Sequence, residues 1–382
     1  MVSTSSSATR AQSLGRARLQ SQRVVAAPES GDAGGTLRPG AARGTATGGP
    51  GAIAHTARHL VATQAQDFGQ ALWALGLRTP GSVRSDVLAA MDNGSVVRSA
   101  PMRGTLHFVA AEDLRWLLGV THARTVAAGA TRFRDQGLDL ATFERSRDVA
   151  RDVLAGNPMS RDEFLKALEA AGVSTAGQRG YHLIFWLSQH LVVCWGPSRG
   201  TQQALVLVDE WIPPGPELSR EAAVEEFALR YFVSHGPATL KDFVWWSKLT
   251  VVEARRALAA VEDRLVRTEL GGEMYWAGET AGSASSRTLN AVQVLPGFDE
   301  YLLGYQDRSL TLPPEFATRV APGANGIFLP LIVSRGQVVG TWKRPAGSAR
   351  PEAVPEPFAS LTEPELAGFH RAIRTYSRFM LG

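Results

Sequence analysis

The chain has 382 residues, 44% of them hydrophobic, with 40 Lys and Arg against 36 Asp and Glu, a formal charge of +4 and a pI near 9.4. That length supports one large core or several small ones, and a modest basic excess suits a cationic face for phosphates as readily as an ordinary basic protein. The single cysteine, Cys194, rules out an intrachain disulfide, and no run approaches the roughly 20 apolar residues of a membrane helix. A reducing, cytoplasmic setting is expected.

The first 24 residues carry Arg10, Arg16, Arg18 and Arg23 and no acidic residue. The composition resembles a transit peptide, but the preferred reading is a frayed tail leading into a helix over Leu14–Val25. Gly31–Gly51 is Gly/Ala/Thr/Pro-rich and reads as a flexible insertion. Leu60-Val61-Ala62 and Ala71-Leu72-Trp73 then bracket Gln64-Ala65-Gln66-Asp67-Phe68. A glutamine amide is neither acid nor base near neutral pH, yet it offers two donors and an acceptor. Two of them can hold one water. Residues two apart on a helix diverge by about 200°, so convergence of Gln64 and Gln66 requires a helix start or extended backbone.

From here a pattern recurs: helices followed by two strands joined by a glycine turn. The first copy begins near Thr56, and its hairpin is Val96–Ser99 and Thr105–Val109 across Ala100–Gly104. The second runs from Thr142 to about Val208. It has a capping box at Ser160–Glu163, a helix over Gln178–His190 and a hairpin of Leu191–Trp195 and Ala204–Val208. The third is the clearest, with helices Arg220–His235, Leu240–Ser247 and Val251–Glu262. Thr239 and Thr250 are its caps, and its hairpin is Leu265–Leu270 and Met274–Ala277. These are winged helix-turn-helix units in tandem. Beyond them Val292–Leu295, Tyr301–Gly304, Gly326–Val333 and Val338–Trp342 read as strands, and Thr362–Met380 as a closing helix with Arg371, Arg374 and Arg378 on a solvated face.

The fold class is therefore α+β: about three tandem winged helix-turn-helix units with a small C-terminal β subdomain. The divisions are 1–51 (helix and insertion), 52–141, 142–212 and 213–285 (the three units) and 286–382. Arg103 in the first hairpin turn, His107 just after it, and Arg199 and Gln202 at the second wing tip are candidate DNA contacts. Asp299, Glu300, Asp307 and Arg308 read as an internal polar set, and Asp67 as a helix N-terminal acceptor rather than a base. No metal or cofactor signature is present in the sequence.

The segments Gln64–Phe68, Val97–His107, Ser234–Ser247, Leu295–Arg308 and Gly340-Thr341-Trp342 together resemble the AlkZ-type winged-helix DNA glycosylases over nearly the full chain. The Gly/Thr-rich insertion departs from that pattern. The resemblance implies a catalytic Gln-apolar-Gln motif at Gln64 and Gln66, acting on N7-alkylated guanine, bulky adducts and crosslinks included, in double-stranded DNA. It implies a monofunctional enzyme without cofactor, expected to be a monomer, in repair or in self-resistance to alkylating agents. The competing expectation is a non-catalytic winged-helix transcription regulator.

Overall fold

A computed structural model describes residues 3–25, 48–199, 202–279, 289–324, 326–344 and 353–382. The chain opens with α1 (Ser3–Ser21). The first unit is α2 (Pro50–Leu60), β1 (Thr63–Gln64), α3 (Phe68–Leu77), α4 (Arg84–Asp92), β2 (Val96–Met102) and β3 (Thr105–Ala110), followed by the long α5 (Leu114–Asp135). The second is α6 (Leu140–Val153), β4 (Met159–Ser160), α7 (Arg161–Ala170), α8 (Arg179–Gln189), β5 (Val193–Arg199) and β6 (Gln202–Leu207), ending in the single turn α9 (Val208–Trp211). The third is α10 (Arg220–His235), α11 (Leu240–Ser247), α12 (Val251–Val261), β7 (Val266–Leu270) and β8 (Glu273–Ala277). The C-terminal part holds β9 (Gln293–Leu295), a one-turn helix Glu300–Leu303, β10 (Leu331–Ser334), β11 (Gln337–Lys343), β12 (Val354–Pro357) and the closing helix Glu363–Leu381.

Side-chain caps fix the helix starts of the third unit. Thr239 pairs reciprocally with Asp242 before α11, and Thr250 with Glu253 before α12. Ser160 and Glu163 do the same for α7. The wings are not equivalent. β2–β3 and β5–β6 join through the antiparallel pair Arg98↔Trp195 into one sheet of order β1-β3-β2-β5-β6-β4, whereas β7–β8 stands apart as a two-stranded ribbon. Two units thus share one sheet, which sequence spacing alone does not reveal.

Several sequence expectations change. The first hairpin extends to Met102 and turns on Arg103-Gly104 alone, with φ values of 57° and 71°. Such a two-residue turn matches the twist of its strands and needs positive φ at both positions. Tyr301–Gly304 is helical rather than extended, because Asp299 caps it by accepting from the Tyr301 amide at 2.8 Å. β12, which pairs with β11, carries no alternating pattern and was not expected. α1 begins at Ser3 and stops at Ser21, earlier at both ends than expected, and α2 starts at Pro50, inside the expected insertion. The rest of that insertion, 31–47, lies outside the described residues.

The cores tie distant segments together. Leu19, Val24 and Val25 from the first segment pack with Leu295, Tyr301 and Leu331. The closing helix packs Tyr376 and Phe379 on Trp73 of α3, with ring centroids 5.3 and 5.2 Å away. These contacts bring the C-terminal subdomain against the segment that holds the paired glutamines.

Candidate active site and nucleic-acid interface

β1 is two residues long and pairs with β3 through Thr63↔Phe108 and Gln64↔His107. The Ala65 amide donates to Leu106 O at 2.7 Å, and its methyl is fully buried. Gln64 is half-buried and Gln66 exposed. Alternate residues of an extended segment share a side, so a buried alanine between two glutamines turns both outward. Asp67 then N-caps α3, its carboxylate accepting from the Gln70 amide at 3.1 Å. The segment passes from strand to helix start, and the divergence that a helix would impose does not arise. Among the described residues, neither the Gln64 nor the Gln66 side-chain amide meets a hydrogen-bond partner.

The backbone of the motif, by contrast, is tied from two sides. Arg98 of β2 donates from Nε to Ala65 O at 2.8 Å and from Nη2 to Gln66 O at 3.2 Å. Burial pulls its pKa down to about 10, which leaves it charged near neutral pH. On the other side Glu300 Oε1 accepts from the Gln64 amide at 3.1 Å, and Glu300 Oε2 accepts from Trp246 Nε1 at 2.9 Å. The carboxylate is fully buried. Burial alone would raise its pKa, but the His235 ring and the Arg103 guanidinium, each 3.7 Å away, outweigh that and hold it at about 2.

Arg103 and His107 are inside this cluster. Arg103 is only 10% exposed and donates to Leu303 O at 3.0 Å and toward His107 Nε2 at 3.1 Å. His107 is fully buried, with Nδ1 on Thr105 O at 2.8 Å. Burial, then the adjacent Arg103 charge, push its pKa down to about 3, so the ring is neutral. Instead of the outward DNA contact expected, His107 braces the hairpin, because both ring nitrogens are engaged and no face is open. Arg199 is half exposed and paired with Glu163 at 2.9 Å, and Gln202 is exposed at the rim of a cleft. The four expected contacts therefore do not form one cluster.

That cleft has a volume of about 420 Å³ and is lined by Phe68, Arg98, Leu106, Tyr181, Phe185 and Trp195, among others, so it opens beside the motif. A second cavity of about 310 Å³ shares Gly104, Tyr181 and Phe185 with it and adds Arg103, Arg124, Arg132 and Lys248. Arg124, Arg132 and Lys248 are exposed, and among the described residues none is in an ion pair. Among the described residues, no carboxylate lines the second cavity. A groove of unpaired cations leading to an aromatic cleft is the electrostatic pattern of a nucleic-acid path. The individual cations were missed in the sequence because they are scattered over α5 and the end of α11. Glu300 was read as an internal polar group, which it is, but its reach to Gln64 spans 236 residues and left no local signal.

Trp245-Trp246 also divide their roles. Trp246 is buried, whereas Trp245 lies beside Arg103, Lys248 and Arg308, at 5.6, 5.1 and 5.3 Å from ring centroid to charge. Asp299 forms a fully buried pair with Arg78 at 2.7 Å, and Asp307 is exposed.

A family model described as "DNA glycosylase AlkZ-like" matches residues 57–379. The "Interstrand DNA cross-link repair glycosylase" of Streptomyces sahachiroi is 25% identical over 304 residues, covering 74% of this chain and 80% of its own length. The solved structure of Streptomyces sahachiroi DNA glycosylase AlkZ superposes with a TM-score of 0.75 at 21% identity, over 96% of both chains, and shares the fold. The match over most of the length shows that the chain belongs to the AlkZ-like family of DNA glycosylases.

Proposed function

We propose that the protein excises N7-alkylguanine from double-stranded DNA, with Gln64 and Gln66 positioning the water that attacks C1′. One observation carries the reading: two side-chain amides without a partner among the described residues face outward from a backbone tied on both sides, next to an aromatic-lined cleft that adjoins a cavity of unpaired cations. An N7-alkylguanine is cationic and leaves as a neutral base, so bond breaking needs no general acid. The electron pair of the glycosidic bond goes to the base, and an oxocarbenium-like sugar develops. Water adds to C1′ and loses its proton to solvent, leaving an abasic site. Neutral amides contribute by orientation and by dipoles aimed at the developing charge.

The cleft beside Phe68 is roomy enough for ligands larger than a methyl group, within the roughly 300–1,000 Å³ of ordinary ligand sites. Bulky adducts and crosslinks are accordingly included in the proposed substrate range, as the name of the Streptomyces relative suggests. The enzyme acts as a monomer in the cytoplasm. The reading is tested by single turnover on a duplex with one N7-methyl-2′-deoxyguanosine. Free base should appear with an uncut abasic strand, while a duplex carrying O6-methylguanine, a neutral lesion, stays intact. No release from the N7-methyl duplex or from a bulky N7 adduct would overturn it.

A further inference from the structure

Strand β1 sits at the edge of its sheet and makes only two residue pairs, so ladder bonds alone hold it weakly. An edge strand leaves every second amide pointing away from its neighbour. At Gln64 that amide is satisfied by a carboxylate from the far end of the chain. We propose that Glu300 is a positioning residue for excision, holding the Gln64 backbone so that its side-chain amide is presented at a fixed place. The proposal rests on the reading of Gln64 as catalytic.

The carboxylate is unusually well fixed for this task. Asp299, the residue before it, caps the one-turn helix and is locked to Arg78 by two hydrogen bonds of 2.7 and 2.9 Å. The Glu300 carbonyl accepts from Gln22 Nε2 of the first segment at 3.2 Å and from the Gly304 amide at 2.8 Å. Trp246 holds the second carboxylate oxygen, which leaves Oε1 to accept from Gln64 at 3.1 Å, with Arg103 Nη2 3.7 Å from it. Three parts of the chain, the first segment, α11 and the C-terminal subdomain, thus fix Glu300, which alone of these contacts holds the Gln64 amide. A charged acceptor also makes a shorter and stronger bond than a neutral one.

The test is a double-mutant cycle of Glu300→Gln and Gln64→Ala, read by the single-turnover excision constant on the N7-methyl duplex, with duplex binding measured alongside. Glu300→Gln should slow excision by about ten- to hundredfold, with the duplex Kd within about twofold of wild type. In the Gln64→Ala background the same change should cost little further, because its route is already gone. Wild-type excision by Glu300→Gln beside a crippled Gln64→Ala would overturn the proposal and leave the reading of Gln64 standing. Equal slowing in both backgrounds would overturn it too, as a general packing defect. Wild-type excision by Gln64→Ala would instead remove the reading of Gln64 and the proposal with it. Should Glu300→Gln not fold, Glu300→Asp replaces it, keeping the charge but drawing it back by one methylene. The same slowing is expected, and a wild-type rate overturns the proposal.

Discussion

Asp67 is the carboxylate nearest the paired glutamines in sequence, and its chemistry is decided by what it already does. Its Oδ1 accepts from the Gln70 amide at the start of α3, the bond of a side-chain N-cap. Asn caps helices about as well as Asp. Asp67→Asn should therefore keep both fold and excision rate, whereas a lost general base would cost about 10²–10⁴-fold; a single-turnover rate on the N7-methyl duplex separates the two. The glutamine pair and the cap were legible in the sequence because their signals are local, residues two and three positions apart. Glu300, Arg98 and the inward turn of Arg103 were not, because each meets its partner only after folding, 32 or more residues away except for the His107 contact.

At the scale of elements, legibility follows the caps. The sequence places α10 and α11 with their observed ends because apolar periodicity marks the first, Gly236-Pro237 stops it and Thr239 starts the second; the Ser219 cap of α10 is seen only in the structure. Tyr301–Gly304 suits a strand in sequence and forms a helical turn in the structure, because apolar residues in a four-residue run fit both equally. The joining of two wings through Arg98↔Trp195 had no signal at all. The first segment belongs to the fold although the family match starts only at residue 57. α1 docks so closely on the β10–β11 turn that a Cβ at Gly15 would lie 2.1 Å from Gly336 O. Tyr301 Oη bridges both carbonyls, at 3.1 Å to Gly15 and 2.9 Å to Gly336. Gly15→Ala should thus destabilise by about 1–3 kcal/mol through overpacking, although alanine is the better helix former by about 1 kcal/mol. A thermal or denaturant melt checks this; an unchanged or raised Tm would show that α1 is not docked there.

For the molecule as a whole, the buried polar framework sets an acid limit on stability. His107 is lowered to about 3 by burial and Arg103, and His59 to about 3 by burial and Arg23. Both stay neutral when folded, while an unfolded histidine takes up a proton near pH 6.5. Their contribution is complete above pH 6.5 and is lost as pH falls toward 3, at about 1.4 kcal/mol per pH unit for each. Glu300 adds a second loss of the same sign at lower pH, between its unfolded value near 4.5 and about 2. Tm should fall between pH 7 and pH 5, with calorimetry in two buffers showing proton uptake on unfolding; a flat Tm would mean that these histidines are solvated.

The same framework presents two amides, without a partner among the described residues, beside an aromatic-lined cleft that adjoins a cationic cavity, and excision turns on those amides more than on any other feature. The decisive measurement is single-turnover release of N7-methylguanine from a duplex by wild type and by the Gln64→Ala/Gln66→Ala double variant, at matched duplex binding. Wild type should release the base rapidly and leave an abasic strand, and the variant should be slower by about a hundredfold or more. Release by the double variant at the wild-type rate would contradict that role of the amides.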